Sequence, residues 1–155
     1  MPQTPLKEAS DTHTGASEYH IAMCNQRSEI LEHGRQMTPF LMRLEKNLDG
    51  VWTAEEVANR FLSGQWQVWL VMNGEDLVAV AATEVWRDDS DRGICSLRFV
   101  VGHDYKSWMH LIKDVEEWAS EIGCYKMRNE NAPGHMRRAL KDYKVTHYVT
   151  EKVLG

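Results

Sequence analysis

"VVGHDYKSWMHLIKDVEEWASEIGCYKMR", residues 100–128, decides how this chain folds. An apolar run ends at Gly102, and a polar junction holding His103, Lys106 and Ser107 follows. Trp108, Leu111, Ile112, Val115, Trp118, Ala119 and Ile122 then recur at helical spacing, and Gly123 stops the pattern. Ser107 is the expected cap of a helix running to about Ile122. "CYKMRNEN" (124–131) reads as a further strand by its place between two helices. A strand, a helix and a strand in this order make a βαβ unit, whose two strands lie parallel in one sheet.

On the N-terminal side, "ICSLRFVVG" (94–102) is apolar on both faces apart from Ser96 and Arg98, which suits a strand covered by helices on two sides. "QVWLVMNGEDLVAVAATEVW" (67–86) places two β-rich runs around Asn73-Gly74. Asn-Gly is the strongest short hairpin signal and predicts a type I′ turn. Thr53 and Glu56, three apart before Val57, Phe61 and Leu62, form a capping box for a short helix that stops at Gly64. Residues 25–50 are helical material punctuated by Gly34 and Pro39, and "YHIAMC" (19–24) reads as a first strand. Beyond the βαβ unit, "APGHMRRALKDY" predicts a last helix and "VTHYVTEKV" a closing strand. The fold class is α/β (α+β): a central mixed sheet in the order β-α-α-β-β-β-α-β-α-β, with helices on both faces. Residues 1–17 form a flexible polar arm, and 18–155 a single domain.

The chain has 155 residues and a net charge of −5, which does not invite nucleic acid or an anionic membrane surface. Charge is uneven: residues 1–100 carry 9 Lys/Arg against 15 Asp/Glu, and the remainder 9 against 8. An anionic ligand is therefore better received by the C-terminal third. Cys24, Cys95 and Cys124 are odd in number and lack CxxC spacing. Neither a disulfide framework nor a zinc site is indicated, and a reducing, cytoplasmic setting is expected. No HxxxH or HExxH pair suggests a metal, and no apolar run reaches membrane-spanning length.

Residues 100–128 and the tail "NAPGHMRRALKDYKVTHYVTEKVL" resemble the GNAT superfamily of N-acetyltransferases, over nearly all of residues 19–154. Leu111, Ile112, Val115, Glu116, Trp118, Ala119 and Gly123 supply the texture of that family's core helix. In compactness the chain is similar to GNAT-like proteins encoded by bacteriophages. The resemblance implies acetyl-CoA as co-substrate and an amine, on a small molecule or a protein, as acceptor. It implies that the main chain at Phe99, Val100 and Val101 holds the pantetheine arm. It further implies that the pyrophosphate meets the helix start, where free amides and the dipole favour an anion. Ser107, Trp108 and Met109 stand at that start, with His103 and Lys106 adding charge and Asn131 near the cofactor from the last helix. The family's phosphate loop carries two glycines, and Met109 and Leu111 stand in their places.

Acetyl transfer to an amine needs a base for the amine proton and an acid for the departing thiolate. By the resemblance Glu84, set in an apolar strand, is the candidate base, and Tyr143 the candidate acid. Arg98 requires a partner inside its strand, and Glu84 on the neighbouring strand is the one within reach. His135, Arg137, Arg138, Lys141 and Lys144 make the last helix basic, which suits a solvated face, a coenzyme phosphate or an acidic partner. The alternative function is an inactive GNAT-like scaffold acting by protein–protein binding, for instance in a phage virion or on a host factor. The missing glycines support it, as does the polar arm, which is suited to ordering on a protein partner. The two readings divide on whether the gap beside the "ICSLRFVVG" strand is free or filled by Trp108 or Met109.

Overall fold

A computed structural model describes residues 18–48, 51–130, 143–144 and 152–154. The predicted arm, the last helix and the closing strand lie outside the described residues, together with Asn131 and the basic positions 135–141. The elements are β1 (Tyr19–Cys24), α1 (Arg27–Glu32), α2 (Gly34–Asn47), α3 (Ala54–Leu62), β2 (Gln67–Asn73), β3 (Asp76–Arg87) and β4 (Gly93–Gly102). After them come α4 (Tyr105–Trp108), a 3-10 turn (Met109–Leu111), α5 (Ile112–Glu121) and β5 (Cys124–Asn129). The five strands form one mixed sheet in the order β1-β2-β3-β4-β5. Neighbours from β1 to β4 are antiparallel, and β4–β5 is parallel. This is the predicted meander followed by a βαβ crossover.

Helices cover both faces, as the apolar-on-both-sides pattern of β4 requires. On one face Met37, Leu41 and Leu44 of α2 and Val57 and Phe61 of α3 pack with Trp66, Val80, Ala82, Phe99 and Val101. On the other, Trp108 with Ile112 and Val115 of α5 packs with Trp69, Val78, Ala81, Leu97 and Val100. Alternation along β4 sends Phe99 and Val101 to the first layer and Val100 to the second. Aromatic edges lock both layers: Trp52 meets Trp66 at 5.0 Å, and Trp69 meets Trp118 at 5.3 Å. Among the described residues no helix is long and apolar enough to cross a membrane.

Local signals hold with three corrections. The capping box opens α3 as predicted: Glu56 N–H donates to Thr53 Oγ1 at 3.1 Å, and Thr53 N–H to Glu56 Oε1 at 2.8 Å. The hairpin turns on Gly74-Glu75, because Asn73 pairs with Asp76 across the closing rung. Gly74 alone has a positive φ, +63°, at the first central position, where II′ turns take glycine; I′ would need two such residues. Pro39 does not end the helical run but lies inside α2. Pro39 offers no amide to the Arg35 carbonyl one turn earlier, and the neighbouring Thr38 hydroxyl donates to the Gly34 carbonyl at 2.8 Å. The third correction concerns the expected single helix from Ser107 to Ile122, which is broken into α4, the 3-10 turn and α5. Asp104, not Ser107, precedes its first turn, in the left-handed conformation with φ 58°.

Candidate active site

β4 and β5 pair from Gly93↔Cys124 to Leu97↔Asn129, and the Glu130 amide donates to the Leu97 carbonyl at 3.2 Å. β5 ends there, while β4 runs five residues further to Gly102. Among the described residues no strand pairs with that outer edge of β4. At this level β4 itself is irregular. β3 pairs Ala82 with Phe99 but Thr83 with Leu97, so Arg98 is an extra residue in β4. Such a bulge bends the strand, raises its twist and re-aims a side chain at the point where pairing stops.

The hydrogen-bond alternation beyond the bulge sorts the main chain. His103 N–H donates to the Val78 carbonyl at 3.1 Å, so 103, 101 and 99 face β3. Val100 and Gly102 face outward. Of the expected trio Phe99, Val100 and Val101, only Val100 therefore presents its amide and carbonyl to the gap. At Gly102 the outward carbonyl accepts from Arg43 Nη2 at 2.5 Å, and the main chain also bonds the Tyr105 hydroxyl. Burial pushes the Tyr105 phenol up, against the Gly102 bond and the charge of Arg43, which draw it down.

Gly102 is a packing glycine. A Cβ there would overlap the backbone carbonyl of Val78 and the Ala79 side chain. The junction that follows is likewise built for packing. Trp108 is fully buried and its indole Nε1 donates to the His103 carbonyl at 2.7 Å. Met109, half-buried, borders the same core layer. Of the amides expected to be free at the helix start, that of Met109 donates to the Tyr105 carbonyl; the Ser107 N–H donates to that of Asp104. Ser107 lies within α4 and does not cap it. Lys106 and His103 remain exposed, with His103 stacked on Phe40 at 6.3 Å and its Nδ1 3.3 Å from Asp104 Oδ2.

On the α3 face of the sheet, beside the bulge, three charged side chains meet. Glu84 Oε1 accepts from Arg98 Nε at 2.9 Å, from Arg98 Nη2 at 2.5 Å and from Trp66 Nε1 at 3.1 Å. The predicted Arg98–Glu84 pair is thus present. Arg98 Nη1 also binds Glu130 Oε1, and the Ser96 hydroxyl donates to Glu130 Oε2 at 3.3 Å. Burial alone would lower the Arg98 pKa, but its bonds to Glu84 and Glu130 outweigh it and hold the guanidinium above its ordinary value. All three hydrogen bonds to Glu84 fall on Oε1. Its Oε2 has no bond among the described residues, and the side chain is 20% exposed.

Tyr143 lies elsewhere: its hydroxyl donates to Glu116 Oε2 of α5 at 2.6 Å, beside the second core layer. The thiols are not poised for chemistry. Burial pushes Cys95 up to about 12 and Cys24 up to about 11. Sequence reasoning missed Arg43, Tyr105, Trp66 and Glu130. Arg43 stands 59 residues from the carbonyl it binds, a separation with no local signal. Glu130 needed the exact register of β5.

Solved structures share this fold. The ribosomal-protein-alanine N-acetyltransferase of Brucella melitensis biovar Abortus 2308 matches with a TM-score of 0.63 at 14% identity, over 88% of this chain and 98% of that one. A GNAT family acetyltransferase from Staphylococcus aureus subsp. aureus USA300_TCH1516 matches at 0.60 and 11% identity, over 87% and 99%. The chain has the GNAT fold. The aminoglycoside N-acetyltransferase AAC(6')-Iy, in complex with CoA, shares it at 0.61 and 13% identity, over 88% and 94%. No family model matches the sequence, and no curated protein does. At such identities the likeness to GNAT enzymes lies in the path of the backbone, and the chemistry must be argued from the side chains.

Proposed function

We propose that this chain is an acetyl-CoA-dependent N-acetyltransferase acting on an amine of a small molecule or protein. The observation that carries the reading is the outer edge of β4 past Leu97, where Val100 turns an amide and a carbonyl outward, on the strand that carries Arg98 and its bond to the Glu84 carboxylate. An extended arm carrying amide groups is complementary to such an edge, much as an added strand would be. Val100 stands two residues past Arg98, roughly 7 Å along the strand. The thioester end of the arm would then reach the level of the bulge.

There the acceptor nitrogen attacks the thioester carbonyl, an N–C bond forms and the C–S bond breaks. Glu84 Oε2 takes the amine proton, while Oε1 stays clamped by Trp66 and Arg98. The thiolate takes a proton from water; Tyr143, the acid that the resemblance implies, would first have to give up its bond to Glu116. Coenzyme contacts fall to Val100 first, then to Lys106 and His103; Asn131, the further contact that the resemblance implies, lies outside the described residues.

One observation favours the scaffold reading: the glycine cradle is absent and the Met109 amide is already bonded. In that case the N-terminal arm is the element to test against protein partners. Calorimetric titration with acetyl-CoA, followed by thiol-release assays over a panel of amines, separates the two. Micromolar binding and amine-dependent thiol release support the enzyme. No heat at millimolar coenzyme leaves the scaffold.

A further inference from the structure

We infer that Arg43 is the residue that binds the coenzyme's diphosphate, supplying from α2 the attraction that the strand–helix junction lacks. The inference rests on the acetyl-CoA reading and adds to it a ligand that neither the junction nor its neighbours in sequence contain.

Arg43 is exposed on α2, and its guanidinium is nevertheless held at a defined place. Nη2 donates to the Gly102 carbonyl, and the guanidinium carbon lies 5.8 Å from the centre of the Phe40 ring. Because Gly102 faces away from β3, the group sits on the outer edge of β4, at its end. Val100, with its outward amide and carbonyl, is two residues before it on the same edge. A chain laid along Val100 would thus bring its next segment to Arg43.

Among the described residues Arg43 makes no ion pair, although Arg87, Arg92 and Arg98 each do. The Gly102 carbonyl engages one of five guanidinium donors, so the planar fork keeps its charge and most of its donors for an anion. The neighbouring carboxylate, Asp104, is 3.3 Å from His103 Nδ1, and its partner His103 stacks on the Phe40 ring that also carries Arg43. Lys106 follows two residues later and is exposed. A diphosphate diester, with one negative charge on each phosphate, is a ligand that such a fork recognises through paired N–H bonds. The main-chain amides at Ser107 and Met109, already bonded within the junction, cannot take that part.

Calorimetric titration of the full chain with CoA and with 3′-dephospho-CoA tests this, with Arg43→Ala and Arg43→Gln beside the wild type. Melting temperatures verify that the variants fold. Both variants are expected to bind each ligand at least tenfold more weakly, with a flatter dependence on salt. Binding of CoA within twofold of wild type by Arg43→Ala overturns the inference and leaves Arg43 as a staple between α2 and β4. A loss confined to CoA, with dephospho-CoA unaffected, also overturns it, because the contact would then be to the 3′-phosphate. Failure of the wild type to bind either ligand removes the acetyl-CoA reading itself.

Discussion

Glu84 and Arg98 tie one strand irregularity to stability and to the proposed chemistry. An arginine inside an apolar strand is costly unless paired, and the bulge turns it toward two carboxylates at once. Replacing Arg98 with Ala strips both of them of their cation. We expect it to cost roughly 1–3 kcal/mol in chemical denaturation, in the range for a partly buried charged hydrogen-bond partner left alone. Glu84→Gln keeps the shape and removes the base. Amine acetylation should fall about 100-fold or more, with acetyl-CoA binding unchanged by calorimetry. An equal rate in the variant would move the base elsewhere.

Elements are set by rules that can be tested one at a time. α3 depends on its capping box, and the bonds from Thr53 hold the Glu56 carboxyl below its ordinary 4.5. A depressed carboxylate stabilises above its ordinary pKa and loses that contribution as pH falls through the lower folded value. The melting-temperature gap between wild type and Glu56→Ala should therefore be present at about pH 6 and shrink by about pH 3, leaving the hydroxyl half of the cap. In β4 the sensitive position is Gly102. Gly102→Ala forces a methyl onto the β3 backbone, and an overpacking cost of roughly 1–3 kcal/mol is expected in denaturant.

For the whole molecule, two cores lie on either side of one sheet, and the proposed coenzyme site is the β4 edge between them. A ligand bound there stabilises the folded chain by mass action, by about 2.7 kcal/mol at one hundred times its Kd. Acetyl-CoA should accordingly raise the melting temperature in a concentration-dependent way, and Trp108→Ala should lower it without ligand. Loss of that fully buried indole costs about 3–5 kcal/mol by the usual cavity and transfer terms.

Much of this was legible in the sequence because it is local. The capping box of Thr53 and Glu56, the stop at Gly123, the hairpin around Gly74 and the two-sided apolar run of β4 depend on residues a few positions apart. Their periods of two and near four determined the order of elements, and with it the mixed sheet. What lies at the gap was decided by contacts between distant segments. Ser107 had the chemistry of a cap, yet burial of Trp108 against the sheet pulled the junction into a left-handed Asp104 and two short turns. Gly102 marked in sequence only the end of an apolar run, and the approach of β3 makes it a packing glycine. Arg43 carried no signal at all, since only the docking of α2 on β4 brings it to Gly102. Propensity acts through neighbours in the chain, whereas register, bulge position and the partner of an arginine are settled when layers separated by tens of residues pack together.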